Sequence, residues 1–290
     1  MRWKLEPGIP EAALETVLAH PRLPAAVAAL ASGMLQVSAQ NRALDGIFKD
    51  TGRYVTAALV VYLHMLGELT LPKLKAYCMA SGFLSPGRAR ALLAYLRYLN
   101  FIAQPEDAPG RGPTRYAATE MLMTAWRLHL RAALGAACVL EPAARVVAER
   151  LDEPEIFTLF GRLHIAGLLT RGSAEATLDA TFLRVIMHRH AGNQLLWSLM
   201  ATTTTAFPPQ EPIPLSVAGT ARRFGVSRIH VQRMLDDAVE TGLIRRTEAG
   251  AIVLGGIYPH LRYLYPMQLI KLLSACADTV TARPDIVWGS

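Results

Sequence analysis

The stretch from Leu215 to Leu254 constrains the fold of this chain more than any other. Apolar residues at helical spacing predict two short helices, separated at Gly225 by a residue that adopts a left-handed conformation at low cost. Ser227 is of the residue type that caps the amino end of a helix. Two apolar runs follow, and Ala249-Gly250 between them predicts a β-hairpin. The positions expected to be buried on the two helices are Val217, Ala221, Phe224, Val231, Met234, Leu235, Ala238 and Val239.

Helix, tight turn, helix and β-hairpin in this order are typical of a winged helix-turn-helix. The turn Gly225-Val226-Ser227, followed by Arg228 and then by apolar residues alternating with His, Gln and Arg, resembles bacterial winged-helix regulators of the GntR-like and MarR-like kinds. The resemblance covers the forty residues or so of this stretch. It implies a DNA-binding unit whose second helix docks in the major groove.

The outward face of the second helix is expected to read base edges, because Arg pairs with guanine and Gln with adenine. The candidates on this helix are Ser227, Arg228, His230, Gln232 and Arg233. Basic residues on the first helix and at the wing are expected to hold the phosphate backbone. These are Arg222, Arg223, Arg245 and Arg246. The alternative is a solvated basic helix that serves only protein contacts.

An earlier part of the chain repeats the pattern with a displacement of 142 residues. Ser227 follows Ser85 by 227 − 85 = 142, and Leu243 follows Phe101 by 243 − 101 = 142. We therefore expect an internal repeat. The candidate DNA-binding residues of this copy are Ser85, Arg88, Arg90, Lys73, Lys75, Arg115 and, in a longer wing, Arg111.

This copy departs from the regulator pattern, because Pro86-Gly87 replaces the Arg that follows the cap. The expectation that it reads bases is weaker for that reason. Arg111 has two interpretations: an extended Arg that enters a minor groove, or a loop charge in solvent.

The predicted fold is mainly α with small β-hairpin wings, as two winged helix-turn-helix units joined by a helical middle. The predicted boundaries are 1–53 for an N-terminal helical segment, 54–118 for the first winged-helix domain, 119–176 for the helical linker, 177–256 for the second winged-helix domain and 257–290 for a C-terminal helix and tail. Thr177–Met200 is expected to be one long helix, and Tyr258–Val280 a helix interrupted or bent near Pro266.

In MarR-like regulators, helices flanking the winged unit build a dimer interface. The resemblance therefore implies either a homodimer or a single-chain pseudo-dimer in which Tyr54–Tyr116 and Thr177–Leu254 are related by pseudo-symmetry. Two recognition helices would then meet one face of a duplex, at half-sites about 34 Å apart.

The amino-acid composition limits the classes of protein to which this chain can belong. Of the 290 residues 52% are hydrophobic and 18% charged, which is typical of a globular chain. The net charge of +7 permits a polyanionic partner. No signal peptide is evident, and the apolar runs near Val55–Leu63 and Ala132–Leu140 are too short to cross a bilayer, so we expect a cytoplasmic protein without a membrane partner.

The other motifs and residues of the sequence predict no enzymatic activity, cofactor or metal site. Motifs of hydrolases and nucleotide-binding enzymes are absent from the sequence, and His188 and His190 point to different sides of a helix. The three cysteines fit neither a zinc pattern nor a disulfide framework; buried thiols are expected, and redox sensing is the alternative. Five side chains between the units form either a small-molecule effector pocket or ordinary core: Trp126, His129, His164, His188 and Trp197.

The leading functional hypothesis is a sequence-specific regulator of transcription that binds double-stranded DNA. Tandem winged helices also resemble plasmid replication initiators, for which directly repeated sites near an origin would be expected. A third hypothesis is a protein-interaction scaffold of the chromosome-segregation kind. The net positive charge of the chain argues against a scaffold. Duplex binding that depends little on salt concentration would favour the scaffold hypothesis.

Overall fold

The computed structural model describes residues 10–81, 84–105, 112–169, 178–203 and 205–288. The chain is mainly helical, with 70% helix and two small antiparallel strand pairs. This confirms the prediction of a mainly α fold with small hairpins. Arg111 lies outside the described residues.

The first half contains α1 (Glu11–Leu18), α2 (Leu23–Gln40), α3 (Arg42–Phe48), α4 (Thr51–Met65), α5 (Leu71–Ser81), α6 (Pro86–Tyr98), β1 (Ile102–Ala103), β2 (Ala117–Ala118) and α7 (Glu120–Leu140). The second half begins with a 3-10 turn (Pro142–Ala144), α8 (Arg145–Glu149), α9 (Pro154–Leu169), α10 (Ala180–Phe182) and a π-helical turn (Leu183–Met187). It ends with α11 (Gly192–Met200), α12 (Val217–Phe224), α13 (Arg228–Glu240), β3 (Ile244–Arg246), β4 (Ile252–Leu254), α14 (Tyr258–Ala282) and α15 (Asp285–Trp288).

We call α12, α13, β3 and β4 the second unit. Gly225 ends α12 in the left-handed conformation with φ of 61°, and the Ser227 side chain accepts a hydrogen bond from the His230 backbone N–H at 3.1 Å. Val231, Met234, Leu235 and Ala238 form the buried stripe of α13. The segment before α12 joins the strand pair through an antiparallel bridge between Ile213 and Ile252. Every backbone feature predicted for this stretch from Gly and Ser is thus present.

We call α5, α6, β1 and β2 the first unit, and its described residues repeat the helix cap and the strand bridge of the second unit. Ser85 accepts a hydrogen bond from the Arg88 backbone N–H at 3.3 Å. The segment before α5 joins the strand pair through a bridge between Thr70 and Arg115. Helix α13 begins 228 − 86 = 142 and ends 240 − 98 = 142 residues after α6. The predicted displacement therefore holds at both ends of this helix.

Packing between the two halves of the chain is reciprocal. Helix α2 packs against α11 of the second half while α9 packs against α4 of the first, and α1 packs against α14 while α8 packs against α7. Thr51 donates a hydrogen bond to the side-chain oxygen of Asn193 at 3.2 Å, and these residues are 193 − 51 = 142 apart. Residues at equivalent positions of the two halves therefore contact each other.

The expected helix over Thr177–Met200 is wrong for its described part. Residues 178–200 form α10, the π-helical turn and α11, with Ala191 at φ of 67° between the last two. The chain turns sharply there, and Gly192 passes so close to the Ile186 carbonyl that a Cβ would lie 2.8 Å from the carbonyl carbon. An uninterrupted apolar pattern does not reveal such a turn, because the residues on both sides remain buried.

Two smaller expectations also need correction. Val239 is 39% exposed instead of buried, because it lies beside the stripe formed by Met234, Leu235 and Ala238. Of the two alternatives expected near Pro266, an interruption or a bend, the interruption is wrong, because α14 continues through Pro266, which lies buried within it. Packing of α14 against α9, α1 and α7 offsets the hydrogen bond that Pro266 cannot donate.

Helix α2 is long and apolar enough to cross a membrane, judged by length and composition alone. Ala26, Leu30 and Met34 are buried on this helix, which packs against α7 and α11. A core helix passes the same test, so this helix is weak support for a membrane span.

Candidate nucleic-acid interface

The amino end of α13 presents two of the predicted base-reading arginines to solvent. Arg228 and Arg233 are exposed, and Ile229 between them is 64% exposed. His230 turns inward, with Nε2 lying 2.7 Å from the backbone oxygen of His190. Ser227 serves the helix by capping it. The amino end can therefore offer two guanidinium groups to a ligand, whereas the His230 ring is engaged inside the protein.

The carboxyl half of α13 carries acidic side chains, and two of them already form ion pairs with arginines. The Gln232 amide donates to Asp236 at 2.8 Å, and Arg246 from β3 lies 3.4 Å from the same carboxylate. Asp237 pairs with Arg189. The predicted roles of Gln232 and Arg246 on DNA would first require these contacts to open.

Three further arginines of the second unit are exposed. Arg222 and Arg223 lie in the last turn of α12, where the helix dipole favours positive charge, and Arg245 lies on β3. Helix α12 contains no acidic residue. Together with Arg228 and Arg233 they give the unit a positive surface, to which phosphate groups are attracted.

Helix α6 differs from α13 in carrying no acidic residue at all. Arg90 and Arg97 are exposed, and Tyr98 is 83% exposed at its carboxyl end. Arg88, the equivalent of His230, donates to the Asp50 carboxylate at 3.1 Å. The equivalent positions of α6 and α13 thus both bond back to the protein.

The remaining candidates of the first unit have protein partners to different degrees. Lys73 pairs with Glu68 at 2.7 Å, and Lys75 is half-buried. Arg115 donates to the Gly67 backbone oxygen at 3.0 Å but stays exposed. Arg115 is therefore better placed for an outside partner than Lys73 or Lys75.

One buried carboxylate links α4 with α6. The side chain of Asp50 is 5% exposed; it caps α4 by accepting from the Arg53 backbone N–H at 2.9 Å and pairs with the Arg53 and Arg88 guanidinium groups. Burial, followed by the positive charges of Arg53 and Lys49, lowers the pKa of His190. Sequence reasoning missed Asp50, although Asp followed by Thr and Gly is a recognisable cap.

A lysine connects this region to the second unit. The Lys49 ammonium donates to the Phe224 backbone oxygen at 2.9 Å and pairs with Asp45 at 3.1 Å. The His190 and His230 rings lie 6.2 Å apart between centroids. The amino end of α6 is therefore held to Asp50, and the amino end of α13 to the segment before α11.

The described side chains among the proposed effector-pocket residues make close ring contacts with one another and with Phe48. Trp126 and His129 have ring centroids 4.9 Å apart, and Phe48 contacts both His129 and Trp197. His164 stacks on Phe160 elsewhere in the core, and His188 is half-buried near Asp50. The described side chains favour the core interpretation over the pocket.

Stability should fall as the pH drops from 6.5 towards 4, because two buried histidines must stay neutral. Burial lowers the pKa of His129 to about 3 and that of His164 to about 4. The unfolded chain binds these protons near pH 6.5, so each histidine costs up to about 1.4 kcal/mol of unfolding free energy per pH unit below that value. Urea unfolding at pH 6.5 and 5.5 measures the slope. His129→Gln should make the slope smaller, and a slope equal to that of the parent protein would contradict the assignment.

A cleft of about 490 Å³ lies beside α6, where the sequence indicated no pocket. It is bounded by the start of α5, the outward face of α6 and the segment leading into β2. Its lining includes Leu71, Arg90, Leu93, Arg97, Tyr98 and Tyr116. The sequence signal that could have found it is the spacing of Arg90, Arg97 and Tyr98 along one helical face.

Cysteine and metal chemistry receive no support from the described part of the chain. Burial raises the pKa of Cys78 to about 11 and that of Cys276 to about 12, and it also raises the pKa of Cys138. Protonated thiols are poor nucleophiles. Among the described residues, no three His, Cys, Asp or Glu side chains are grouped as a metal site requires.

The arrangement offers exposed guanidinium groups on two capped helices of a repeated unit, together with a basic aromatic cleft. Comparison with known proteins finds no match to this chain among protein-family models, curated proteins or solved structures.

Proposed function

We propose that this chain is a sequence-specific regulator of transcription that binds double-stranded DNA through two winged helix-turn-helix units in one cytoplasmic polypeptide. The observation that carries the proposal is the repeated unit of a Ser-capped helix and a strand pair, with exposed arginines on both capped helices.

The backbone order supports the winged-helix interpretation. In each unit a short segment before the first helix bridges to the strand pair that follows the second helix, at Thr70–Arg115 and Ile213–Ile252. This pairing ties the strand pair to the two helices as a wing. In such a unit the first turns of the second helix meet base edges while the wing meets the backbone.

The reciprocal packing of the two halves supports a regulator over an initiator, because such packing suits units related by a two-fold rotation. Units related by rotation would read half-sites in inverted orientation, whereas directly repeated sites suit units related by translation. Because α6 and α13 differ in sequence, the two half-sites would also differ. A single chain of this kind acts as its own pseudo-dimer.

Charge supports DNA over a protein scaffold. Among the described contacts of the second unit, Arg222, Arg228 and Arg233 have no acidic partner. Unpaired exposed guanidinium groups bind phosphates and release counterions. Duplex binding should therefore weaken steeply as salt rises.

Arg228→Ala should weaken binding to the selected site by about 1–3 kcal/mol and binding to random DNA much less, because a bidentate Arg–guanine pair is lost. Gln232→Ala should cost less, since its amide already bonds Asp236. The site is first found by footprinting on genomic fragments, and affinities are then measured by fluorescence anisotropy at two salt concentrations.

Arg222→Ala is the matched control, because a phosphate contact should be lost equally on both DNAs and reduce the salt slope by about one. Equal losses on both DNAs for Arg228→Ala would remove Arg228 from base reading. Absence of duplex binding at low salt would refute the proposed function.

A further inference from the structure

The cleft beside α6 combines two positive groups with two aromatic rings. Arg90 and Arg97 lie one above the other on the helix, seven residues and so about 10 Å apart along its axis. Tyr98 and Tyr116 add ring surface. None of the described residues that line the cleft is acidic. Its occupant is therefore expected to be anionic and planar.

Tyr98 is poorly placed to read a duplex. It is the last residue of α6, and in the docking expected for such a unit the first turns of the helix approach the bases. Yet it is 83% exposed, so one ring face is open to a partner. A planar group that stacks on this ring must come from a strand whose bases are accessible.

The second unit lacks this surface. Displacement by 142 residues places Gln232, Val239 and Glu240 of α13 at the positions of Arg90, Arg97 and Tyr98. These residues offer neither a free cation nor an aromatic ring. The repeated fold therefore does not by itself require the basic aromatic face of α6.

We infer that the α6 cleft binds unpaired nucleic acid, with a base stacked on Tyr98 and backbone phosphates on Arg90 and Arg97. Stacking on an aromatic side chain tolerates any base, because every base has a π face. A volume of about 490 Å³ lies within the range of sites that hold small ligands, so it can accept a nucleotide of the strand. This inference rests on the proposed function, since it adds a second mode of binding at one recognition helix.

The test measures the affinity of the full chain for two labelled ligands by fluorescence anisotropy. One ligand is a single-stranded thymidine oligonucleotide, and the other is the duplex identified by footprinting. Tyr98→Leu, which keeps the bulk and removes the ring, should weaken binding of the single strand about tenfold or more. Binding of the duplex should change less than about threefold, and Tyr98→Phe should restore single-strand binding. Arg97→Ala should also weaken the single strand, whereas Arg162→Ala, which removes an exposed arginine on α9, should not.

The outcomes separate the two claims. Duplex binding without single-strand binding, or Tyr98→Leu affinities unchanged for both ligands, would overturn the inference and leave the proposed function standing. Equal losses on both ligands would also overturn it. Single-strand binding that depends on Tyr98 without any duplex binding would support the inference and refute the proposed function.

Discussion

Gly192→Ala should lower the free energy of unfolding by about 3 kcal/mol, at the upper end of the cost of overpacking. The added Cβ would overlap the Ile186 carbonyl group, lying 2.8 Å from its carbon. Backbone cannot move aside as a flexible side chain can, so the π-helical turn or the start of α11 must shift. Urea unfolding followed by circular dichroism measures the loss.

Gly135→Ala is the matched control, because this helical glycine is exposed and an added Cβ meets no described heavy atom within 4 Å. Alanine has the higher helix propensity, so this variant should gain up to about 1 kcal/mol. If Gly192→Ala proved as stable as the parent protein, the sharp turn between residues 187 and 192 would be wrong.

Trp126→Ala should cost about 3–5 kcal/mol of unfolding free energy, the typical cost of truncating a buried aromatic residue. The Trp126 ring is fully buried, stacks with Tyr54 at 5.8 Å and contacts His129. Its removal leaves a cavity at the centre of the aromatic cluster. Denaturant unfolding at constant pH measures the change.

Leu128→Ala provides the control on the same helix, since Leu128 is exposed and should change stability by less than about 0.5 kcal/mol. A loss below about 1 kcal/mol for Trp126→Ala would instead restore the effector-pocket interpretation, because a side chain lining open space leaves little new cavity.

Several parts of the fold are predictable because their causes are local. Gly225 marks a turn since it accepts a positive φ, and Ser85 and Ser227 mark helix starts since a hydroxyl can accept an amide hydrogen bond within three residues. The 142-residue displacement is predictable for the same reason, because both copies carry the same local signals.

The candidate site is less predictable because side-chain partners lie far apart in the sequence. His230 and Gln232 have residue types suited to base reading, yet one bonds to His190 and the other to Asp236. The spacing of Arg90, Arg97 and Tyr98 places them on one helical face, but it does not tell whether the Tyr98 ring is exposed. Its exposure depends on how α5, α6 and β2 meet.

By itself the sequence determined the helical class, the caps, the turns at glycine and the repeat, since each depends on residues a few positions apart. Only the tertiary structure decided the sharp turn before Gly192, the reciprocal packing of the two halves, the aromatic contacts around Trp126 and the cleft beside α6. Each of these depends on which distant surfaces come into contact, and apolar periodicity records that a face is buried but not what covers it.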